Sequence, residues 1–116
     1  MLKHRVFGDI LEIVIESPKI NADELSRDVS AILSHPQVKP GMKLLLIILP
    51  NAGVLSSGES FKIMKTHKDD LKAYFKKIAG VAFTEVHYGH LNVLSSAAQS
   101  YGIDRKSTRL NSSHYS

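Results

Sequence analysis

The chain has 116 residues, 43% apolar and 22% charged, the composition of one globular domain with no hint of a second. With no cysteine it can form neither a disulfide framework nor a thiolate metal site or catalytic thiol. Charges at Lys3, Arg5, Asp9 and Glu12 leave no secretory h-region, and no apolar run approaches bilayer length, so a soluble cytoplasmic protein is expected, without a transmembrane segment.

The formal net charge of +4 depends on the C-terminus. Residues Asp104 to His114, DRKSTRLNSSH, read as the codon-by-codon translation of a common sequencing adapter, with Tyr115 and Ser116 as barcode. On that reading, residues 1–103 are the domain and 104–116 a non-native, disordered tail that packs against nothing. The natural chain would then continue beyond Ile103. Without Asp104, Arg105, Lys106 and Arg109 there remain 12 basic and 10 acidic residues, a net charge of +2. Such a weak balance gives no reason to expect nucleic acid as a partner.

In chain order, His4 to Ile15 holds two short β-prone runs around Gly8-Asp9, which predicts an antiparallel hairpin. A helix follows with its start well specified: Asn21 as N-cap, Glu24 at N3 to close a capping box, and Ile20 placed to pack on Leu25 as a staple. Leu25, Val29, Ile32 and Leu33 repeat at helical spacing until Pro36 stops the helix.

Pro40-Gly41 turns the chain into Leu44 to Leu49, an unbroken apolar block that predicts a central strand covered by helices on both faces. A helix starts at Ser56 or Ser57. Phe61, Met64, Leu71, Phe75 and Ile78 share a stripe if residues 57–77 form one helix, while Thr66-His67-Lys68-Asp69 could cap a second one. Residues 78–84, IAGVAFT, predict another buried strand. After a loop from Thr84 to His90, a last helix runs from Leu91 to Tyr101 with Gly102 at C′, and Ile103 would begin a further strand. The order ββαβαβα makes this an α/β domain with a mixed, mostly parallel sheet and helices packed on it. It brings the Pro50 to Gly58 and Thr84 to His90 loops to the carboxyl ends of neighbouring strands, where open α/β sheets place ligands.

This order, with IILPNAGVLSSGE after the central strand and VHYGHLNVLSSAAQSYGI at the end, resembles the STAS superfamily over about residues 4–103, in particular bacterial proteins similar to the stage II sporulation anti-sigma-factor antagonist and to Sec14-type lipid-binding domains. The resemblance implies a last strand and helix beyond Ile103. It also implies a non-enzymatic signalling or protein-interaction module. In the antagonists the helix after the central strand opens with Asp-Ser-Ser-Gly or Asp-Ser-Thr-Gly, whose first serine is phosphorylated. Leu55-Ser56-Ser57-Gly58 stands there in this chain, so Ser56 matches the phosphoacceptor while Leu55 replaces the aspartate.

Read from the residues alone, Ser56 with Glu59 is a capping box, and a phosphate on Ser56 would meet the free amides of a helix N-terminus. Those amides, with Asn51, Gly53, Ser57 and Gly58, could face a small anionic ligand, and Tyr88 and His90 could line the same crevice. Without a Gly-x-Gly-x-x-Gly or Walker pattern, a nucleotide site is unsupported. His87-x-x-His90 has the residue types of a metal pair but only Glu85 as a local third ligand, and is read as a surface loop with no metal and no cofactor. Lys62, Lys65, Lys68, Lys72, Lys76 and Lys77 are read as a solvated basic flank that an acidic partner or lipid headgroups could use. No catalytic arrangement emerges from the spacing. The leading expectation is a protein-binding module; the alternatives are a small-molecule or lipid-binding domain and a truncated α/β enzyme.

Overall fold

The computed structural model describes residues 2–103; the tail from Asp104 and the strand and helix expected after Ile103 lie outside the described residues. The element order is β1 (Leu2–Phe7), β2 (Ile10–Ile15), α1 (Ala22–Leu33), β3 (Met42–Ile48), α2 (Ser57–Tyr74), β4 (Phe75–Ala82) and α3 (Glu85–Ser100). The strands lie side by side in the order β1-β2-β3-β4. β1 runs antiparallel to β2, and both β2–β3 and β3–β4 are parallel.

The hairpin forms where Gly8-Asp9 signals it. Phe7 pairs with Ile10 across a two-residue turn in which Gly8 has φ 61° and Asp9 has no positive φ, the pattern of a type II′ turn. Its right-handed twist matches that of the flanking strands. Asn21 caps α1 by accepting from Glu24 N (2.9 Å), and Ile20 packs in the cluster that contains Leu25. The α1 stripe is as the spacing predicts: Leu25, Ile32 and Leu33 are buried and Val29 is half-buried.

All three helices lie on one face of the sheet, which departs from the two covered faces expected from the apolar block. Each βαβ crossover steps one strand in the same direction, and because crossovers are right-handed α1 and α2 must fall on the same side. Leu11, Ile13 and Ile15 of β2 and Leu44, Leu46 and Ile48 of β3 pack with the helices. The alternate residues, Val14, Leu45 and Ile47 beside Arg5, Glu12 and Lys43, take no part in those clusters among the described residues. Leu45 and Ile47 are only half-buried. On this face Arg5 grips Glu12 from the paired position (Nε to Oε1 2.8 Å), which satisfies a carboxylate that is only 9% exposed.

Residues 57–74 form one unbroken helix, and β4 follows it without a loop, beginning three residues before the strand predicted at Ile78. Phe75, Lys76, Lys77 and Ile78 therefore belong to the strand; the basic flank loses two of its lysines, and the apolar stripe two of its members. Apolar residues three apart share a face of a helix, and share one in a strand only across an irregularity; here the register shift at Met42, which skips Lys76, puts both Phe75 and Ile78 with the main cluster. The buried residues of α2 are Ser60, Ile63, His67 and Leu71, with Phe61 and Met64 half-buried at their flank.

Helix α3 also begins earlier than predicted. Thr84 caps it by accepting from His87 N (3.1 Å), so Glu85 to His90 are helical rather than loop, and Gly89 is tolerated inside the helix at a cost of about 1 kcal/mol relative to alanine. Its end matches the prediction. Gly102 (φ 74°) donates to Gln99 O and Ile103 N to Ala98 O, a Schellman motif in which Ile103 packs in the same cluster as Ala98.

Candidate functional site

Two histidines one turn apart on α3 fasten the β3–α2 loop to the helix. His87 Nε2 lies 2.6 Å from Ala52 O, and because a carbonyl only accepts, that nitrogen carries the proton. His87 Nδ1 then accepts from the Thr84 hydroxyl at 2.6 Å. His90 has the opposite arrangement: Leu55 N donates to its Nε2 over 3.4 Å, which in the neutral ring puts the proton on Nδ1. Nδ1 is buried and has no hydrogen-bond partner. Burial, and secondarily the neighbouring His87, lower the His90 pKa to about 4, so the ring is uncharged at neutral pH. Both histidines are 5% exposed, so the pair read as a surface loop is in fact buried. The missed signal was the Thr84-x-x-His87 start, which turns the two rings inward together.

The loop between β3 and α2 is held on two further sides. Gly53 N donates to Ser17 O (2.9 Å), and a Cβ at Gly53 would meet Pro18 O at 2.6 Å, so only glycine lets the loop lie this close to the β2–α1 connection. Leu55 is 7% exposed and packs with Leu25, Ile63 and Leu94. An aspartate there would be a buried carboxylate in an apolar cluster.

At the start of α2 the capping box predicted from Ser56 and Glu59 is present in both directions. Glu59 N donates to Ser56 Oγ (3.1 Å) and Ser56 N to Glu59 Oε1 (3.3 Å). The other carboxylate oxygen of Glu59 accepts from Ala22 N, the first amide of α1, at 3.2 Å. One side chain thus serves two helix N-termini, and these backbone amides, Ala22 first and then Ser56, hold the Glu59 pKa below its ordinary value. The anion that this helix terminus favours is therefore supplied from within the chain. Ser56 is exposed, and its hydroxyl lies 3.3 Å from Glu59 Oε1, where a phosphate would meet a carboxylate.

Of the residues expected to line a crevice, Asn51, Ser57 and Gly58 are exposed, Gly53 is turned against Pro18, Tyr88 is half-buried against Ile48, Ala52 and Leu91, and His90 lies beneath the loop. The structure brings Asn51, Gly53 and Ser56 onto one loop clasped to α3, and an apolar space lies deeper in the fold. It is a cavity of about 130 Å³ between the sheet and the three helices, lined by Leu25, Leu46, Met64, Leu94 and Ala98 among others, with His67 and His90 in its wall. At about 24 cal/mol per Å³, its walls forgo about 3 kcal/mol of packing relative to a filled core. His67 is 3% exposed; its Nε2 bonds Ser26 Oγ of α1 at 2.8 Å, and burial lowers its pKa against the opposing effects of Asp70 and Ser26. Sequence periodicity passed over His67 because the stripe was drawn through Phe61 and Met64.

Among the described residues no group of three or more His, Asp or Glu side chains is placed to hold a metal ion, and no helix is long and apolar enough to cross a membrane. The fold and this site define a two-layer α/β domain with a mixed four-stranded sheet, one helix-covered face, and a cavity beneath the helices. No family model, curated protein or solved structure matches the chain.

Proposed function

We propose that the chain is a non-enzymatic protein-binding module of STAS-like fold, whose partner docks at the carboxyl ends of β3 and β4. The observation that carries this reading is the exposure of two large apolar side chains at that end, Val54 (44%) on the β3–α2 loop and Val86 (67%) in the first turn of α3. Their backbones are tied together through His87 and Ala52, so they form parts of one braced surface. Exposed apolar groups on a rigid support, next to the polar Asn51, Ser56 and Ser57, have the composition of an interface core with a polar rim.

The element order ββαβαβα and the position of Ser56 at the head of the helix after β3 support the resemblance to anti-sigma-factor antagonists. The phosphorylation switch is not part of the reading, because Glu59 occupies the space of the phosphate and Leu55 that of the aspartate. A photo-crosslinking residue placed at position 54 or 86 tests the surface in the native cell. It should give a protein adduct that Lys39, an exposed control away from this end, does not give, and Val86→Asp should abolish the position-54 adduct. Equal labelling at position 39, or no adduct at 54 and 86, contradicts the reading.

A further inference from the structure

We infer that the cavity between the sheet and the helices is a binding site for a compact hydrocarbon, a molecule of benzene or toluene size that carries no polar group. The first observation is the way the core is divided. A domain usually has one contiguous core, whereas the buried residues here fall into three clusters, around Leu11 and Phe75, around Ile48 and Ala82, and around Leu25 and Leu94. Leu46 packs against all three and is still only half-buried. Its strand, β3, has a neighbour on either side, and its side chain is turned toward the helices, so its remaining surface faces a gap in the packing rather than an edge of the sheet. Val29, Leu44, Met64 and Ile78 are likewise half-buried, and with Leu46 they line the cavity of about 130 Å³. Each of the three clusters contributes residues to its wall, Leu71 from the first, Leu91 from the second and Leu94 from the third.

The second observation fixes the chemistry. The surface of the cavity is almost entirely carbon although His67, His90 and Ser95 belong to its wall, so these residues offer the space next to no polar surface. His67 Nε2 is engaged with Ser26 Oγ, His90 Nε2 accepts from Leu55 N, and His90 Nδ1 is buried. Water held there would lack the several polar partners it needs, and a ligand hydroxyl or carboxylate would be desolvated without one. A hydrocarbon incurs no such penalty and restores the dispersion contacts that the wall forgoes. In another protein an engineered apolar cavity of about 150 Å³ stays dry and takes up benzene. A volume of about 130 Å³ admits a ligand of that kind and has no room for a long acyl chain, while the flexible Met64 side chain can adjust to its outline. This site is separate from the surface of Val54 and Val86, and its occupancy can be measured without any protein partner.

Toluene and phenol are the probes, matched in size and differing in one hydroxyl. Titrated into the full chain and followed by the methyl shifts of Leu46, Met64 and Leu94, toluene should saturate, and phenol should bind about tenfold more weakly or worse, the penalty of burying a hydroxyl without a partner. Nuclear Overhauser contacts from the toluene ring should reach Leu71, Leu91 and Leu94, one from each cluster, and none should reach Val54 or Val86. Saturating toluene should also raise the melting temperature, as mass action requires of a ligand that prefers the folded state. Ala98→Leu, which builds a larger side chain into the wall, should abolish toluene binding. Should that variant fail to fold, the Overhauser contacts in the unaltered chain still locate the ligand. Absence of saturable toluene binding overturns the inference, as does phenol binding as tight as that of toluene, or contacts confined to the surface valines.

Discussion

His87 and His90 sit one turn apart on the same helix, equally buried, and are used in opposite ways. His87 spans a gap: one nitrogen donates to the Ala52 carbonyl and the other accepts from Thr84, so the ring is a strut between the β3–α2 loop and the start of α3. His90, a residue of the cavity wall, makes one long bond to Leu55 N and leaves Nδ1 buried and unpartnered. A buried histidine with both nitrogens paired is accounted for by the fold. One with an unpaired donor carries an unmet hydrogen bond that costs the fold stability.

Substitution should separate the two rings most sharply. His87→Leu removes two short hydrogen bonds and strands the Ala52 carbonyl, and should cost about 3–4 kcal/mol in urea unfolding. His90→Phe gives up one 3.4 Å bond and leaves Leu55 N unpaired but also removes an unpaired donor, and should cost about 1–2 kcal/mol. Equal losses would erase the distinction.

Acid should find the same asymmetry. Burial holds the His90 pKa at about 4 in the folded chain against 6.5 in the unfolded one, so below 6.5 the unfolded state takes up a proton that the folded state refuses. Stability is then full above pH 6.5 and falls as pH drops toward 4, by up to about 3 kcal/mol from this group. His67, lowered by burial, adds a loss of the same sign. Unfolding measured across that window should flatten in part in His90→Phe; an unchanged slope would mean that the ring is hydrated.

A smaller contrast lies within α2. Ser60 is fully buried with its hydroxyl unpartnered, whereas Ser56 is exposed and satisfied as a cap. Ser60→Ala should therefore raise stability, by about 0.5–1 kcal/mol, and a loss would reveal a hidden partner. Ser56→Ala should lower it by about 0.5–1 kcal/mol, and Ser56→Asp should fail to recover this, because the new carboxylate faces Glu59. A thermal melt of each variant against the unaltered chain decides both.

What could be read from the sequence follows from how local its cause is. The Gly8-Asp9 turn, the Asn21 and Ser56 caps and the Gly102 terminus are set by residues within a few positions of one another, and each is found where predicted. The covered face of the sheet is set by the direction of successive crossovers, a property of strand order that the apolar run at Leu44 to Leu49 does not encode. The start of β4 at Phe75 depends on its pairing with Met42, thirty-odd residues away. The candidate site was half legible: Asn51, Gly53 and Ser56 do share a loop at the end of β3, but His87 was assigned to the surface and His67 passed over. A histidine's value in a site depends on what its second nitrogen meets, and spacing alone does not carry that information.

The opposed tautomers of the two α3 rings are the most direct test of this account. Long-range proton–nitrogen correlation spectra of the histidine side chains at pH 7 should show His87 protonated on Nε2 and His90 on Nδ1, with His90 remaining neutral until the pH approaches 4. A His90 ring protonated on Nε2, or titrating near 6.5, would contradict it.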